Sequence, residues 1–289
     1  MLLIQSTVDV EIPWGTYSLY PSELPESAGW QMTDQLEYAF ESCRKYGIKL
    51  MLGTYNDSKW FEYGWGPPGD LREFLAENTR ISNLIVSEIT EKYLNRYENE
   101  FAGWYFYSEI WNIDVSAPEY WEEYADILSG NFNAWTQHMS AVTPGKPLMI
   151  SSFYNPQLYN ASPEKHSEFW QRIFSMTDFR SGDIFAPQDG AGANPYTFPV
   201  LDEWTAALKS AADTEPGLIF WSNNENFTES MTPQDVSRFV QQLEITDKYA
   251  EKHICFSWNH YYSPTYGNGI YSAYNDKYQE YVRTGTVPE

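Results

Sequence analysis

Two glutamates in this sequence each close an apolar, aromatic run. Ala102-Gly103-Trp104-Tyr105-Phe106-Tyr107-Ser108-Glu109 is one, and Gly217-Leu218-Ile219-Phe220-Trp221-Ser222-Asn223-Asn224-Glu225 is the other. Such runs read as strands buried on both faces, and they place a carboxylate where a parallel barrel opens to solvent. Two carboxyl groups facing one pocket can break a glycosidic bond. One protonates the leaving oxygen while the other attacks the sugar or activates a water, and a separation of about 5–5.5 Å selects retention of configuration. The expected roles are Glu109 as acid/base and Glu225 as nucleophile. A single glutamate at such a turn more often forms a salt bridge or caps a helix. The matched positions of two carry the reading.

Strand alternation puts Tyr105 and Tyr107 on the face of Glu109, and Trp221 and Asn223 on the face of Glu225. Asn223 and Asn224 are expected to orient Glu225 and contact a sugar hydroxyl. Ala186-Pro187-Gln188-Asp189-Gly190 leaves Gln188 and Asp189 at another strand end, followed by Gly192 for a tight turn. Asp189 could bind substrate, assist a proton transfer or cap its own loop. Ser257-Trp258-Asn259-His260-Tyr261-Tyr262 offers an indole to floor a sugar subsite, with Asn259, His260 and Tyr261 as hydrogen-bonding neighbours. His260 is assigned to binding only. Ser152-Phe153-Tyr154-Asn155 supplies a further wall. The loop from Asn56 to Asp70, with Trp60, Phe61, Tyr63 and Trp65, either shapes the pocket or folds on its own side chains.

The elements that must position these groups recur along the chain. Strand candidates are Leu2–Val8, Ile48–Tyr55, Ala102–Ile110, Pro147–Tyr154, Ile184–Gln188, Leu218–Asn223 and Ile254–Asn259. Helical spacing fills the gaps. Leu36, Ala39, Phe40 and Cys43 share a face that stops at Gly47. Phe74 to Tyr97 reads as a long helix with a break near Asn78. Tyr120–Met139, His166–Phe174, Leu201–Ala212 and Pro233–Lys252 follow, the last starting at Thr232-Pro233. Strand and helix in alternation imply parallel strands with helical crossovers. The expected architecture is one α/β domain over residues 1–289, a TIM (β/α)8-type barrel. Seven strands are counted against eight, and the first begins at residue 2, so one leading strand–helix unit is expected to be absent. A doubly wound sheet would carry a glycine-rich turn after its first strand, and Ser6-Thr7-Val8-Asp9 has none.

Composition narrows the ligand. Forty acidic against 18 basic residues give a net charge of −22, which repels phosphate backbones and anionic lipid. Nucleic-acid and membrane partners are therefore not expected; a neutral carbohydrate is. Aromatics make up 18% of the chain, more than packing requires, and their faces suit the C–H faces of sugars. The four histidines are scattered without a metal-ligating spacing, and no phosphate-cradling or nucleophilic-serine motif occurs, so no cofactor or metal is expected. Cys43 and Cys255 read as two buried thiols rather than a disulfide. Met1-Leu2-Leu3-Ile4-Gln5 lacks the basic flank of a secretion signal. A secreted or periplasmic place is inferred from the substrate alone. Oligomeric state is not legible.

Gly103-Trp104-Tyr105 leading to Glu109, Ala186–Gly190, Trp221–Phe227 and Ser257–Tyr261, in this order over nearly the whole chain, resemble a bacterial domain-of-unknown-function family, number 4434. That resemblance implies a TIM barrel similar to glycoside hydrolases and a role on glycans. The wider similarity is to the retaining glycosidase clan, with acid/base on strand four and nucleophile on strand seven, matching Glu109 and Glu225. The clan's acid/base usually follows an asparagine; here Ser108 precedes Glu109. The expected function is a retaining glycoside hydrolase on a neutral oligo- or polysaccharide, the alternative a glycan-binding barrel without turnover.

Overall fold

The structure is a computed structural model that describes residues 1–10, 15–27, 30–31, 33–63, 68–106, 108–112, 118–158, 162–194 and 196–288. Strand β1 (Leu2–Val10) leads into β2 (Gly15–Ser18) and β3 (Trp30–Gln31), then helix α1 (Gln35–Tyr46) and β4 (Leu50–Asp57). A short α2 (Trp60–Tyr63) precedes α3 (Pro68–Ile89), which runs through a wider turn at Thr90–Leu94 into α4 (Asn95–Tyr97). Strand β5 (Phe101–Phe106), α5 (Pro118–Val142), β6 (Leu148–Ile150), α6 (Pro163–Phe174), β7 (Ile184–Phe185) and α7 (Phe198–Ala212) continue the alternation. Strands β8 (Ile219–Phe220) and β9 (Ser222–Glu225) are one strand interrupted at Trp221, followed by α8 (Val236–Thr246) and β10 (His253–Phe256). Helices α9 (Trp258–Tyr261) and α10 (Ser272–Thr284) end the chain.

Parallel pairing joins β1 to β4, β4 to β5, β5 to β6, β6 to β7, β7 to β8 and β9 to β10. The strands thus lie side by side in chain order, as crossover helices require. Helices α3, α5, α6, α7 and α8 pack against one another in the same order. One feature departs from the expected barrel. The outer edge of β1 is held at Thr7–Val10 by antiparallel β2, which carries β3 beyond it. No pairing joins β10 to β1 among the described residues. The architecture is a parallel α/β sheet with an antiparallel extension at one edge.

Alternation sorts the strand side chains into two cores. Leu50, Leu52, Phe101, Trp104, Phe106, Leu148, Ile150, Phe185 and Phe220 face the helices in the main core. Met51, Tyr105, Met149, Ile184, Ala186, Ile219, Trp221 and Ile254 pack together on the opposite face. Burial on both faces explains why the strands read as continuous apolar runs. Helix ends follow local chemistry. Asp34 accepts the Glu37 N–H at 2.9 Å to start α1, and Gly47 ends it at φ 66°. Asp235 caps α8 through the Ser237 N–H at 2.9 Å, so that helix starts after the expected Thr232-Pro233. Asn78 does not break α3: its amide donates to the Phe74 carbonyl within the helix at 2.9 Å.

Candidate active site

Glu225 ends β9 on the face shared by Ile219, Trp221 and Asn223, and it is 1% exposed. Its carboxylate is held by the turn that follows β7. Gly192 N–H and Ala193 N–H donate to Oε2 at 2.8 and 2.7 Å. The turn can come this close because it carries glycines. Gly190 has φ 64° and lies against the Tyr154 carbonyl, and a β-carbon on residue 192 would stand 2.6 Å from the Phe227 carbonyl.

Asp189 sits at the base of that turn and points the other way, toward α8. Its Oδ1 accepts the Ala191 and Glu225 N–H groups at 3.1 Å each. Oδ2 accepts the Asn224 and Gln242 amides at 2.9 Å each. Gln242 also donates to the Glu225 carbonyl at 3.1 Å, tying α8 to both acidic residues. Burial raises the Asp189 carboxyl above the usual range, while these four donors oppose that rise. Glu225 is pushed up to about 8, by burial first and by the Asp189 charge second. The two N–H donors pull it back, and the Glu109 charge adds a further upward push. Each Asp189 oxygen already faces two donors, so a proton there would displace one of them.

Glu109 lies beyond the end of β5 and is half-buried. Gln188, beyond β7, donates its amide to Glu109 Oε1 at 3.0 Å. Strand β6 stands between β5 and β7, so the two backbones are two strand spacings, about 9.6 Å, apart. Their two long side chains reach across that gap to meet. Gln188 also pairs with Asn223 across the β7–β9 boundary. Asn223 in turn donates to Ser151 Oγ at 3.1 Å, and Ser151 hydrogen-bonds the Tyr105 hydroxyl. Asn223 Oδ1 is buried without a hydrogen-bond partner. Glu109, Gln188, Asn223 and Glu225 thus occupy one face at the strand ends.

Other residues read from the sequence lie elsewhere. Tyr107 is outside the described residues. Trp221 is two inward positions before Glu225, about 13 Å down the strand, among inner-face apolar residues with Lys252 Nζ 5.2 Å from its ring centroid. Asn224 faces α8 and is fully buried; besides Asp189 it meets Thr246 Oγ1 at 3.2 Å and His253 Nδ1 at 3.0 Å. Trp258 packs against α10, 5.4 Å from the Tyr278 ring, and is half-buried. Asn259 and His260 are exposed, His260 bonding Ser257 Oγ at 2.6 Å. Tyr261 is buried, stacked on Phe227 at 5.1 Å, and burial first and the Glu225 charge second raise its hydroxyl pKa. In the 56–70 loop, Tyr63 stacks on Phe74 of α3 at 5.0 Å and Trp60 is buried beside it, so this part folds on its own helix. Trp65 lies outside the described residues.

Sequence reading missed the Gly192 and Ala193 N–H pair, Gln242 and Ser151. Only the Gly190-Ala191-Gly192 pattern gave any signal. Among the described residues no group of three His, Cys, Asp or Glu side chains could hold a metal ion, and Cys43 and Cys255 are unpaired thiols. No described helix is long and apolar enough to cross a membrane.

Comparison with known proteins follows this geometry. A crystal structure from Bacteroides thetaiotaomicron VPI-5482, named a putative alpha-L-fucosidase, matches with a TM-score of 0.75 and 21% identity, covering 97% of this chain and 83% of that one. A beta-galactosidase from the psychrophilic Marinomonas ef1 matches with a TM-score of 0.48 and 12% identity, covering 80% of this chain and 47% of that one. The first likeness is one of fold over nearly the whole chain. No curated protein matches the sequence. The sequence model of one family spans residues 7–267, and the chain belongs to that family, described as Domain of unknown function (DUF4434).

Proposed function

We propose that this protein is a glycoside hydrolase acting on a neutral oligo- or polysaccharide, with Glu109 and Glu225 as its two carboxyl groups. The observation that carries the reading is that both lie at the strand ends on one face, linked through Gln188 and Asn223. The Glu109 charge raises Glu225, as an ionised partner does for its acid. The net charge of −22 favours a neutral sugar, and the site is read as the mouth of a barrel-type sheet. Roles divide by where the proton rests. The sequence expectation made Glu109 the acid; the four donors around Asp189 favour a proton on Glu225 instead. Glu225 then protonates the leaving glycosidic oxygen as that C–O bond breaks, and Glu109 attacks the anomeric carbon to form a glycosyl ester. Water next attacks the same carbon, Glu225 takes its proton, and the sugar leaves with retained configuration.

A screen of aryl glycosides, alpha-L-fucosides included, and of neutral polysaccharides tests this. Glu109→Gln and Glu225→Gln are each expected to lose at least ~100-fold in kcat, and proton NMR of the first-formed anomer reads the stereochemistry. Undiminished turnover in both variants removes the assignment. One observation favours the rival reading, a glycan-binding protein without turnover: Glu225 is only 1% exposed. Sugar binding with no hydrolysis across the screen selects that rival.

A further inference from the structure

Residues 254–274 contain no Asp, Glu, Lys or Arg, in a chain where 20% of residues are charged. The same stretch holds Phe256, Trp258, Tyr261, Tyr262, Tyr266, Tyr271 and Tyr274. Part of this set is structural: Trp258, Tyr261, Tyr262 and Tyr274 pack into the small core beneath α8 and α10. The remainder lies on the surface. Phe256 is 45% exposed and Tyr266 is 48% exposed. His260, also exposed, stands between them, its ring centroid 6.4 Å from Phe256 and 5.6 Å from Tyr266. Tyr271 lies 6.4 Å beyond Tyr266 with the two rings nearly parallel, at 14°.

This line of rings begins at the candidate active site. Phe256 pairs in register with Glu225, and Ile254 with Asn223. Ile254 belongs to the inner-face core, so alternation puts Phe256 on the same face as Glu225, one strand spacing of about 4.8 Å away. From there the rings lead outward through His260 and Tyr266 to Tyr271. An exposed patch of this kind marks an interaction site. Its chemistry selects the occupant. Rings pack on sugar C–H faces, and Asn259 and Asn268 alongside supply amides for hydroxyls. The stretch itself offers a charged partner no Asp, Glu, Lys or Arg to pair with.

We propose that Phe256, His260, Tyr266 and Tyr271 form sugar-binding subsites continuing outward from Glu225, so that the ligand is an extended neutral glycan rather than a monosaccharide conjugate. The proposal rests on the glycosidase reading for its starting point. It is tested on intact protein with Phe256→Ala, Phe256→Leu, Tyr266→Ala and the Phe256→Ala/Tyr266→Ala double variant, each first checked for an unchanged melting temperature. The probes are neutral hexasaccharides of β-glucan, xylan, mannan and galactan type and the matching p-nitrophenyl monoglycosides. Calorimetric binding is measured in the Glu109→Gln background, and hydrolysis in the Glu109-intact protein. Each ring removed is expected to weaken hexasaccharide binding by about three- to tenfold, and to lower the ratio of hexasaccharide to monoglycoside kcat/KM by a similar factor. Phe256→Leu should keep part of the loss, because it restores apolar area without the ring. Hydrolysis of hexasaccharides at an unchanged ratio in all variants overturns the subsites and leaves the enzyme reading intact. Binding that depends on the rings without any hydrolysis supports the subsites and removes the enzyme reading. Failure of the protein to bind any of the four hexasaccharides overturns the proposal, as does a loss confined to self-association in sedimentation.

Discussion

A β-carbon on residue 192 would stand 2.9 Å from Glu225 Oε2, so Gly192 and Glu225 share space that only glycine leaves free. The same backbone donates the N–H that holds that oxygen. Gly192→Ala is therefore expected to move the turn off the carboxylate. The stability loss should be about 1–3 kcal/mol from overpacking. Hydrolysis should fall more steeply, by roughly 100-fold, because misplacement of a reacting group is felt in the rate. Denaturant unfolding and kcat of the same preparation separate the two effects.

The division of roles between the carboxyls has its own readout. Glu225→Ala should lose about 10²–10⁴-fold on substrates with poor leaving groups. It should keep most of its kcat/KM on dinitrophenyl glycosides, which leave without protonation, while kcat falls because the attacking water has lost its base. Glu109→Gly should lose both, and added azide should restore turnover by forming a glycosyl azide. The Glu109 variant should give the glycosyl azide of inverted configuration, and an inverted azide from the Glu225 variant in its place would reverse the assignment.

The pH dependence follows from Asp189. With Glu225 as proton donor, kcat/KM is expected to fall as pH rises through about 8. Asp189→Asn removes the charge that, after burial, most raises Glu225, so the alkaline limb should move to lower pH. A limb that stays in place in Asp189→Asn counts against the coupling.

Stability carries the same sign. Glu225 titrates near 4.5 unfolded and about 8 folded, so its contribution is fully present below the lower value. It is lost as pH rises toward 8. His166 works in the opposite sense. Burial in α6, where it accepts the Trp170 indole N–H at 3.3 Å, lowers it from 6.5 to about 3. Its contribution is present above 6.5 and is lost as pH falls toward 3. Urea unfolding of Glu225→Gln from pH 5 to 8 should be flatter than that of the unsubstituted protein.

Gln188→Leu removes the amide that holds Glu109 at 3.0 Å while keeping the side-chain volume. A hydrogen bond to a charged group contributes about 1.5–3 kcal/mol, so kcat/KM should fall roughly tenfold to a hundredfold. The change is expected in kcat more than in KM. An effect on KM alone would place Gln188 in substrate binding.

Much of this molecule is written in local patterns. The strand centres match the apolar runs, Gly47 ends α1 as its position implies, and alternation sorted Trp221 and Asn223 onto the face of Glu225. Strand ends were harder. Asp189 follows Gln188 directly, so one pleat sends Gln188 to Glu109 and Asp189 to α8. Nothing in the sequence tells which of the two neighbours meets substrate. The strand expected over Ile254–Asn259 stops early for a related reason: a helix begins just after β10, and its first turn sets the Trp258 indole against α10. The β2–β3 extension was also missed, because strands of four and two residues leave no periodicity to read.

By itself the sequence determined the centres of the crossover-linked strands and of most helices between them, that these strands run parallel, and that a glutamate ends or closely follows two of them, since these depend on residues within a few positions of one another. Tertiary structure decided which groups act together. The Gly192 and Ala193 N–H groups reach Glu225 across more than thirty residues of chain, and Gln188 reaches Glu109 across nearly eighty. The upward shift of Glu225 follows from the same packing, because burial beside a carboxylate already satisfied by four donors is a property of the fold around it.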